Sequence, residues 1–234
     1  MTKKITKLML NGEEYEIREY QAWWTPWANT LAYRPLTSTS TTNDLSWNNN
    51  NLSSIWTVDF WTHYWVDCAY FDDNNWNLQI SSLYDINDLT WITICSWFYT
   101  DWAPTDVDWK IWSTDWHNCF WYANWLWWYY RGDFAWGTIN TTVDAESEWL
   151  LVTLTCDKVN FTINILWQNL NYTQTEPIQD FSRIWTTYVL WDSPGGMPRK
   201  LIWCISNFIV ENKARTAQEI SDYFDQTKAD YWIS

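Results

Sequence analysis

The stretch 148–170, EWLLVTLTCDKVNFTINILWQNL, constrains the fold more than any other. From Leu151 to Asp157, Val152, Leu154 and Cys156 alternate with Thr153 and Thr155, the period of two that marks a half-buried strand. After Asp157-Lys158-Val159-Asn160 the alternation resumes, with Phe161, Ile163 and Ile165 on one side and Thr162 and Asn164 on the other. Two antiparallel strands joined by a turn are the simplest consequence. Trp149 opens the first strand, where an aromatic is at home, whereas Trp167-Gln168-Asn169 puts a large indole where a turn is expected.

The same contrast runs through the chain. Tryptophan accounts for 25 of 234 residues and glycine for only 5, against an ordinary glycine usage of about 7%. Many tryptophans sit in turn-like company, as in Asn74-Asn75-Trp76-Asn77, Thr114-Asp115-Trp116-His117, Leu45-Ser46-Trp47-Asn48, Asp106-Val107-Asp108-Trp109-Lys110 and Leu190-Trp191-Asp192. Asn or Asp followed by Gly is the dipeptide of tight hairpin turns, because glycine reaches positive φ without steric cost. Read as glycine, each of these sites becomes an ordinary turn. The expectation is that most Trp letters stand for Gly, through a UGA codon that the source reads as glycine. Tryptophans forming aromatic platforms for sugars are the rival reading, but a stacking site needs a few on one surface rather than one in every turn.

Other strand candidates are residues 67–71, 77–80, 90–100, 119–122, 129–134, 184–190 and 200–211, with residues 101–118 and 191–199 as long loops. Strands at this spacing without intervening helices indicate a sandwich or barrel. Residues 4–20 read as a hairpin about Asn11-Gly12, and the recoded form of residues 21–29 reads as a flexible linker. One helix is expected near the C-terminus. There Thr216-Ala217-Gln218-Glu219 is a capping box, followed by Ile220, Tyr223 and Phe224 on one face.

A net charge of −14 argues against nucleic acid or an anionic membrane as partner. No segment approaches a membrane span once Trp is discounted, and MTKKITKLML has no apolar core or cleavage site of a secretory signal. Cys68, Cys95, Cys119, Cys156 and Cys204 are odd in number and widely spaced, which predicts buried thiols rather than a disulfide framework. His117 and Cys119 lack the spacing and number of a zinc site.

From about Leu31 onward an ordered series of segments resembles one family. Ala32-Tyr33-Arg34-Pro35-Leu36 looks like its opening strand, and Asn43-Asp44-Leu45-Ser46-Trp47-Asn48 like its NDLSGN turn. Ala69-Tyr70-Phe71-Asp72-Asp73 is similar to its FDG segment, and Thr93-Ile94-Cys95-Ser96-Trp97-Phe98-Tyr99 to its TISAWFY strand. Residues 148–157 resemble EWHHVAVTYD, 163–168 LYVNGQ, and 202–220 FGKISDFRIYNRALTAEEI. The family is the concanavalin A-like lectin and glucanase superfamily, in its laminin G-like bacterial and phage branch. The resemblance implies an all-β jelly-roll sandwich of two antiparallel sheets spanning residues 31–234, preceded by a hairpin arm (1–20) and a linker (21–30), with a short C-terminal helix. It aligns Trp97 and Trp149 with family tryptophans, and Trp47, Trp167 and Trp203 with glycines.

Chemistry is sparsely marked. The E-x-D-x-x-E pattern of the superfamily's hydrolases is absent, and Asp144, Glu146 and Glu148, though spaced for one strand face, read as a solvated approach to a strand. There is no G-x-S-x-G, P-loop or zinc-protease motif. Arg131-Gly132-Asp133 reads as a turn or strand-end pair, with integrin-type adhesion as the alternative. The sequons at Asn51, Asn140, Asn160 and Asn171 reflect Asn and Thr richness. Calcium is the cofactor that family and charge suggest: Asp72, Asp73 and Asn75 could offer oxygen ligands from one turn and Asp192 from another, though Asp in turns usually serves the backbone. The expected function is a non-catalytic binding or adhesion module for a glycan or host-surface receptor. It would sit on a phage virion or extracellular surface, or otherwise in the cytoplasm, with residues 1–20 contacting neighbouring virion proteins. The alternatives are a structural scaffold without ligand and a diverged glycoside hydrolase.

Overall fold

A computed structural model of the 234-residue chain describes residues 5–10, 13–18, 29–40, 42–46, 48, 51, 53–54, 59–63, 66–71, 78–79, 91–102, 109–113, 119–123, 129–134, 137–141, 143, 147–157, 159–168, 170–178, 189–190, 202–231 and 233. In chain order the strands are β1 (Ile5–Leu10), β2 (Glu13–Arg18), β3 (Thr30–Arg34), β4 (Ser53–Ser54), β5 (Asp59–His63), β6 (Val66–Phe71), β7 (Leu78–Gln79), β8 (Ile92–Trp102) and β9 (Trp109–Ser113). They continue as β10 (Cys119–Ala123), β11 (Tyr129–Phe134), β12 (Gly137–Asn140), β13 (Trp149–Cys156), β14 (Asn160–Trp167), β15 (Leu170–Pro177), β16 (Val189–Leu190) and β17 (Ile202–Glu211). Helix α1 (Ala217–Thr227) and a 3-10 turn (Lys228–Tyr231) follow.

The protein is an all-β sandwich with a short C-terminal helix. An eight-stranded sheet runs β15-β14-β13-β8-β17-β6-β5, with β3 also paired to β17; a seven-stranded sheet runs β12-β11-β10-β9-β16-β7-β4. Every pairing is antiparallel. The hairpin β1-β2 forms a separate two-stranded sheet.

The stretch at 148–170 lies at the centre of the larger sheet. Pairing of Leu151 with Leu166 through Cys156 with Phe161 sets β13 against β14 as the alternation predicts, and β8 flanks β13 on its other side. All eight residues of β13 are buried, including Thr153 and Thr155, so this strand is covered on both faces rather than half-buried. One face carries Ile94, Phe98, Leu150, Val152, Leu154, Ile163 and Ile165. The opposite face carries Cys95, Trp97, Tyr99, Trp149, Leu151 and Leu166, over which Ile220, Tyr223 and Phe224 of α1 and Tyr231 of the 3-10 turn are packed. This second face is therefore the outer face of the sandwich, closed by the C-terminus of the chain.

The helix begins where the sequence places it. The Thr216 hydroxyl accepts from the Glu219 N–H at 3.2 Å and the Glu219 carboxylate accepts from the Thr216 N–H at 2.9 Å. These bonds satisfy two helix-end groups reciprocally. The loop leading to it is locked by the Glu211 carboxylate, fully buried, which accepts from Arg215 Nε at 2.6 Å and from its terminal nitrogen at 2.7 Å.

Several expectations are corrected. Residues 101–118 are not one long loop, because β8 extends to Trp102 and Trp109–Ser113 is β9; Trp109 accordingly begins a strand instead of occupying a turn. Trp167 is not the turn residue expected: it ends β14, pairs with Leu170, is half-buried against the outer core, and is not among the residues at positive φ. Its neighbour Gln168 takes the left-handed conformation at φ 40°. Strands β4, β5, β12 and β15 are also additional to the expected set. Trp47, Trp76, Trp116 and Trp191 lie outside the described residues. Cys68, Cys95, Cys156 and Cys204 are buried thiols as predicted, none in a disulfide. Burial pushes the Cys95 thiol up to about 12, with the Thr153 hydroxyl acting in the opposite sense.

Candidate functional site

Three aspartates, Asp44, Asp67 and Asp157, direct their carboxylates at nearby backbone N–H groups. Asp44 Oδ1 accepts from the N–H groups of Tyr33 (2.8 Å) and Ser46 (2.9 Å), while its Oδ2 accepts from the Ser46 hydroxyl at 2.7 Å. Asn51 caps the same loop by accepting from the Asp44 N–H, and Asn48 donates to the Thr30 carbonyl. Asp67 holds the turn Thr37–Ser40 onto β6 by accepting from Ser38 N–H and hydroxyl at 2.8 and 2.6 Å. Asp157 accepts from the N–H groups of Val159 and Asn160 at the turn between β13 and β14. These are turn roles, in which the carboxylate replaces a missing backbone partner. Among the described residues no group of three or more His, Cys, Asp or Glu could hold a metal ion. The calcium candidates Asp72, Asp73, Asn75 and Asp192 lie outside the described residues, as do Asp144 and Glu146; Glu148 sits half-buried immediately before β13.

The Arg131-Gly132-Asp133 tripeptide is not in a turn. It lies within β11, paired on one side with Trp121, Phe120 and Cys119 and on the other with Asn140, Ile139 and Thr138. A main chain bonded on both edges in a sheet cannot present the tripeptide as a protruding loop.

A different surface emerges at the β15 edge of the larger sheet. Register places Asn160, Thr162 and Asn164 of β14 beside Asn171, Thr173 and Thr175 of β15 on the outer face. The Thr173 hydroxyl donates to Asn164 Oδ1 at 2.9 Å, and the Thr162 and Thr175 hydroxyls lie 2.8 Å apart. Behind them Thr153 and Thr155 of β13 continue the polar row. Burial rises along it, from exposed Asn171, Thr173 and Thr175 through half-buried Thr162 to Asn164 and Thr153, 4% and 1% exposed. The result is a shelf of hydroxyl and amide groups at the sheet edge, and α1 also packs on β14. No charged residue occurs in β13 or β14 and only Glu176 in β15, on the opposite face.

On that opposite face Tyr172, Gln174 and Glu176 form a chain along the strand. The Tyr172 hydroxyl donates to Gln174, and Gln174 donates onward to Glu176 Oε1 at 3.0 Å. Burial, then the Glu176 charge, raise the Tyr172 phenol, so it remains a donor at neutral pH. Sequence reasoning missed β15 because LNYTQTEP is polar on both faces and has no hydrophobic period. The signal it does carry is the run of Asn, Thr and Gln free of Lys and Arg.

A second polar cluster is enclosed and structural. Asn207, at φ 54° where β17 slips register against β8, donates to the Tyr231 hydroxyl at 2.7 Å and accepts from the Tyr33 hydroxyl at 3.3 Å; Tyr231 donates to Ser206 at 3.1 Å. Burial drives the Tyr231 phenol well above its ordinary value, partly opposed by Ser206 and Asn207. This cluster fastens the C-terminal turn to the sheet.

No family model matches the chain, and no curated protein matches it. Solved structures do. The chain superposes on a structure of botulinum neurotoxin type C, from work on the dependence of its cell entry on two ganglioside molecules, at 13% identity and a TM-score of 0.65. It superposes similarly on the binding domain of botulinum neurotoxin DC in complex with rat synaptotagmin II (14%, TM-score 0.65) and on that of Paraclostridial Mosquitocidal Protein 1 (14%, TM-score 0.64). In each case 84% of this chain is covered but only 51–52% of the other, so the chain spans about half the length of these domains. At this identity the likeness establishes the β-sandwich fold, in a setting where the neighbours are binding domains and not catalytic ones.

Proposed function

We propose that the protein is a non-catalytic glycan-binding module whose contact surface is the charge-free shelf of β14 and β15. The observation that carries this is the contrast between a net charge of −14 and an outer sheet face made of Thr162, Asn164, Asn171, Thr173 and Thr175 without a single ionic group. Solvated sheet faces ordinarily mix Lys and Glu. Rows of neutral donors and acceptors match sugar hydroxyls, and a rigid sheet holds them at fixed spacing. Support in kind comes from the structural neighbours, among which are toxins that interact with gangliosides, SialylT and rat synaptotagmin II. For this chain the surrounding negative field disfavours an anionic sugar, so the ligand is a neutral glycan.

The same reading keeps the finer expectations as proposals. The sandwich (residues 31–234) belongs to the laminin G-like branch, with residues 1–20 as an arm and 21–30 as a linker, displayed on a virion or cell surface. Calcium, if bound, would take oxygen ligands from Asp72, Asp73 and Asp192. Recoding of most Trp to Gly is supported by the register shifts at Phe120/Trp121 and Ile202/Trp203, since bulges favour glycine. Intact mass of the natural protein tests it: a mass equal to that of the literal sequence would refute recoding.

A glycan array read with and without calcium, alongside a reducing-sugar assay, tests the function. Binding to neutral glycans without sugar release is expected. Silence on every glycan would favour a scaffold role, and sugar release would overturn the non-catalytic reading.

A further inference from the structure

Strand β15 has one bonded edge and one open edge. Ile178 donates its N–H to the Val159 carbonyl at 2.8 Å, so strand alternation also turns the N–H and C=O groups of Tyr172, Gln174 and Glu176 toward β14. Those of Asn171, Thr173 and Thr175, with the carbonyl of Pro177, point the other way, at the end of the sheet where no described strand pairs with them. The residues that carry them are exposed. An open row of this kind is a template for another strand, and sheets ordinarily blunt it with Lys, a bulge or a very short strand. The other outer strands are shorter: β5 has five residues and includes Asp59 and His63, β12 has four and β4 two. Strand β15 is eight residues long, keeps an unbroken register against β14 and contains neither Lys nor Arg.

We propose that this edge pairs with the same edge of a second copy, antiparallel about a two-fold axis through Gln174. The residues of the strand select that partner and that register. With Gln174 on the axis, Thr173 exchanges N–H to C=O bonds with the partner's Thr175, and Asn171 donates to the carbonyl of the partner's Pro177, whose missing N–H falls at the outermost pair. On the face opposite the shelf, Gln174 meets the partner's Gln174 and Leu170 the partner's Ile178. There the Glu176 carboxylate meets the partner's Tyr172 hydroxyl and not a second carboxylate. Moving the axis by one residue sets Leu170 against the partner's Glu176 in one direction; in the other it sets Thr173 against the partner's Pro177 and loses a central bond. Glu176 is the only charge on the strand, so two molecules of net −14 meet here with no ionic group facing its like. The two-fold closes the assembly at two chains. It also joins the two shelves into one row, with Thr173 and Thr175 beside the partner's Thr175 and Thr173. The longer glycan contact this would give rests on the proposed function, whereas the pairing itself does not.

The experiment is sedimentation velocity of the full chain over a range of concentration and salt, beside Thr175→Pro, Gln174→Glu and Gln174→Lys. Strand β15 contains no tryptophan, so the edge under test is the same however those codons are read. The unsubstituted chain should sediment as a concentration-dependent dimer that tightens with salt, because screening relieves repulsion between acidic bodies and leaves backbone pairing in place. Thr175→Pro removes an N–H from the open edge and none from the ladder with β14, so it should be monomeric with an unchanged far-ultraviolet spectrum. Gln174→Glu and Gln174→Lys should each dimerise several-fold more weakly at low salt, since each sets like charges together on the axis. An equimolar mixture of the two should dimerise as tightly as the unsubstituted chain. The proposal is overturned by a monomer at every concentration, by a dimer that Thr175→Pro leaves intact, or by a mixture no tighter than its components.

Discussion

Trp97 and Trp149 show what a tryptophan does when the fold is built around it. Trp97 is fully buried, donates its indole N–H to Thr227 at 3.2 Å and stacks on Tyr231 with ring centres 4.0 Å apart. Trp149 packs at a tilt against Tyr99 and Tyr231 at 5.5 and 5.1 Å. Trp167 is only half-buried, and its enclosed indole N–H has no acceptor, a defect worth about 1–3 kcal/mol. Trp149 shares that defect but is nearly fully enclosed. Replacing Trp97 or Trp149 with Ala should therefore cost roughly 3–5 kcal/mol in urea unfolding, and Trp167→Gly less than half as much. An equal loss at Trp167 would show that its indole belongs to the native core. The sequence places Trp97 and Trp149 on strands but puts Trp167 in a turn, whereas it ends β14. The left-handed position fell on Gln168 instead, a choice made by the register of β14 against β15.

At the scale of elements, α1 and β15 stand at opposite ends of legibility. The helix announces itself through the Thr216–Glu219 box and the spacing of Ile220, Tyr223 and Phe224, all of which are buried as expected. Strand β15 has no such mark, because an edge strand with polar residues on both faces needs no hydrophobic period; only its pairing with β14 makes it a strand. The loop between β17 and α1 depends on charge. Burial pushes the Glu211 carboxyl up, with Arg215 opposing it, and burial also opposes the charge on Arg215, but the Glu211 carboxylate holds that guanidinium above its ordinary value. Glu211→Ala would take both short bonds from a nearly buried guanidinium, leaving it the 3.4 Å contact with Glu219, and should cost about 3 kcal/mol. Lys228→Ala, which breaks an exposed pair with Asp225 at 3.0 Å, should cost under about 1 kcal/mol. Both are read by chemical denaturation.

Glu219 adds a pH dependence of defined sign. Burial acts to raise it, but Lys213, the Thr216 N–H and Arg215 together hold it below the usual carboxylate range. A carboxyl depressed in the folded state contributes stability that is fully present above its unfolded value and is lost as pH falls through the folded one. In thermal unfolding, Glu219→Gln should thus lose less stability than the parent as pH falls through and below the ordinary carboxylate range. A parallel acid limb would contradict the role given to Glu219.

For the whole molecule, the ordered series of motifs and the absence of helices between strands made the all-β sandwich legible. The functional surface was less so: a shelf assembled from two strands across a turn exists only once their register is known, and turn acids such as Asp44 and Asp67 attract attention in the sequence yet serve the backbone. No described helix is long and apolar enough to cross a membrane. The central claim is that Thr173 and Thr175, with Asn164 and Asn171, form the glycan contact. Glycan-array binding of the full chain measured beside Thr173→Lys/Thr175→Lys tests it most directly, because both positions are on an exposed edge where the substitution leaves the core intact. The unsubstituted chain should bind neutral glycans and the variant should not; equal binding by the two would rule out the shelf as the contact.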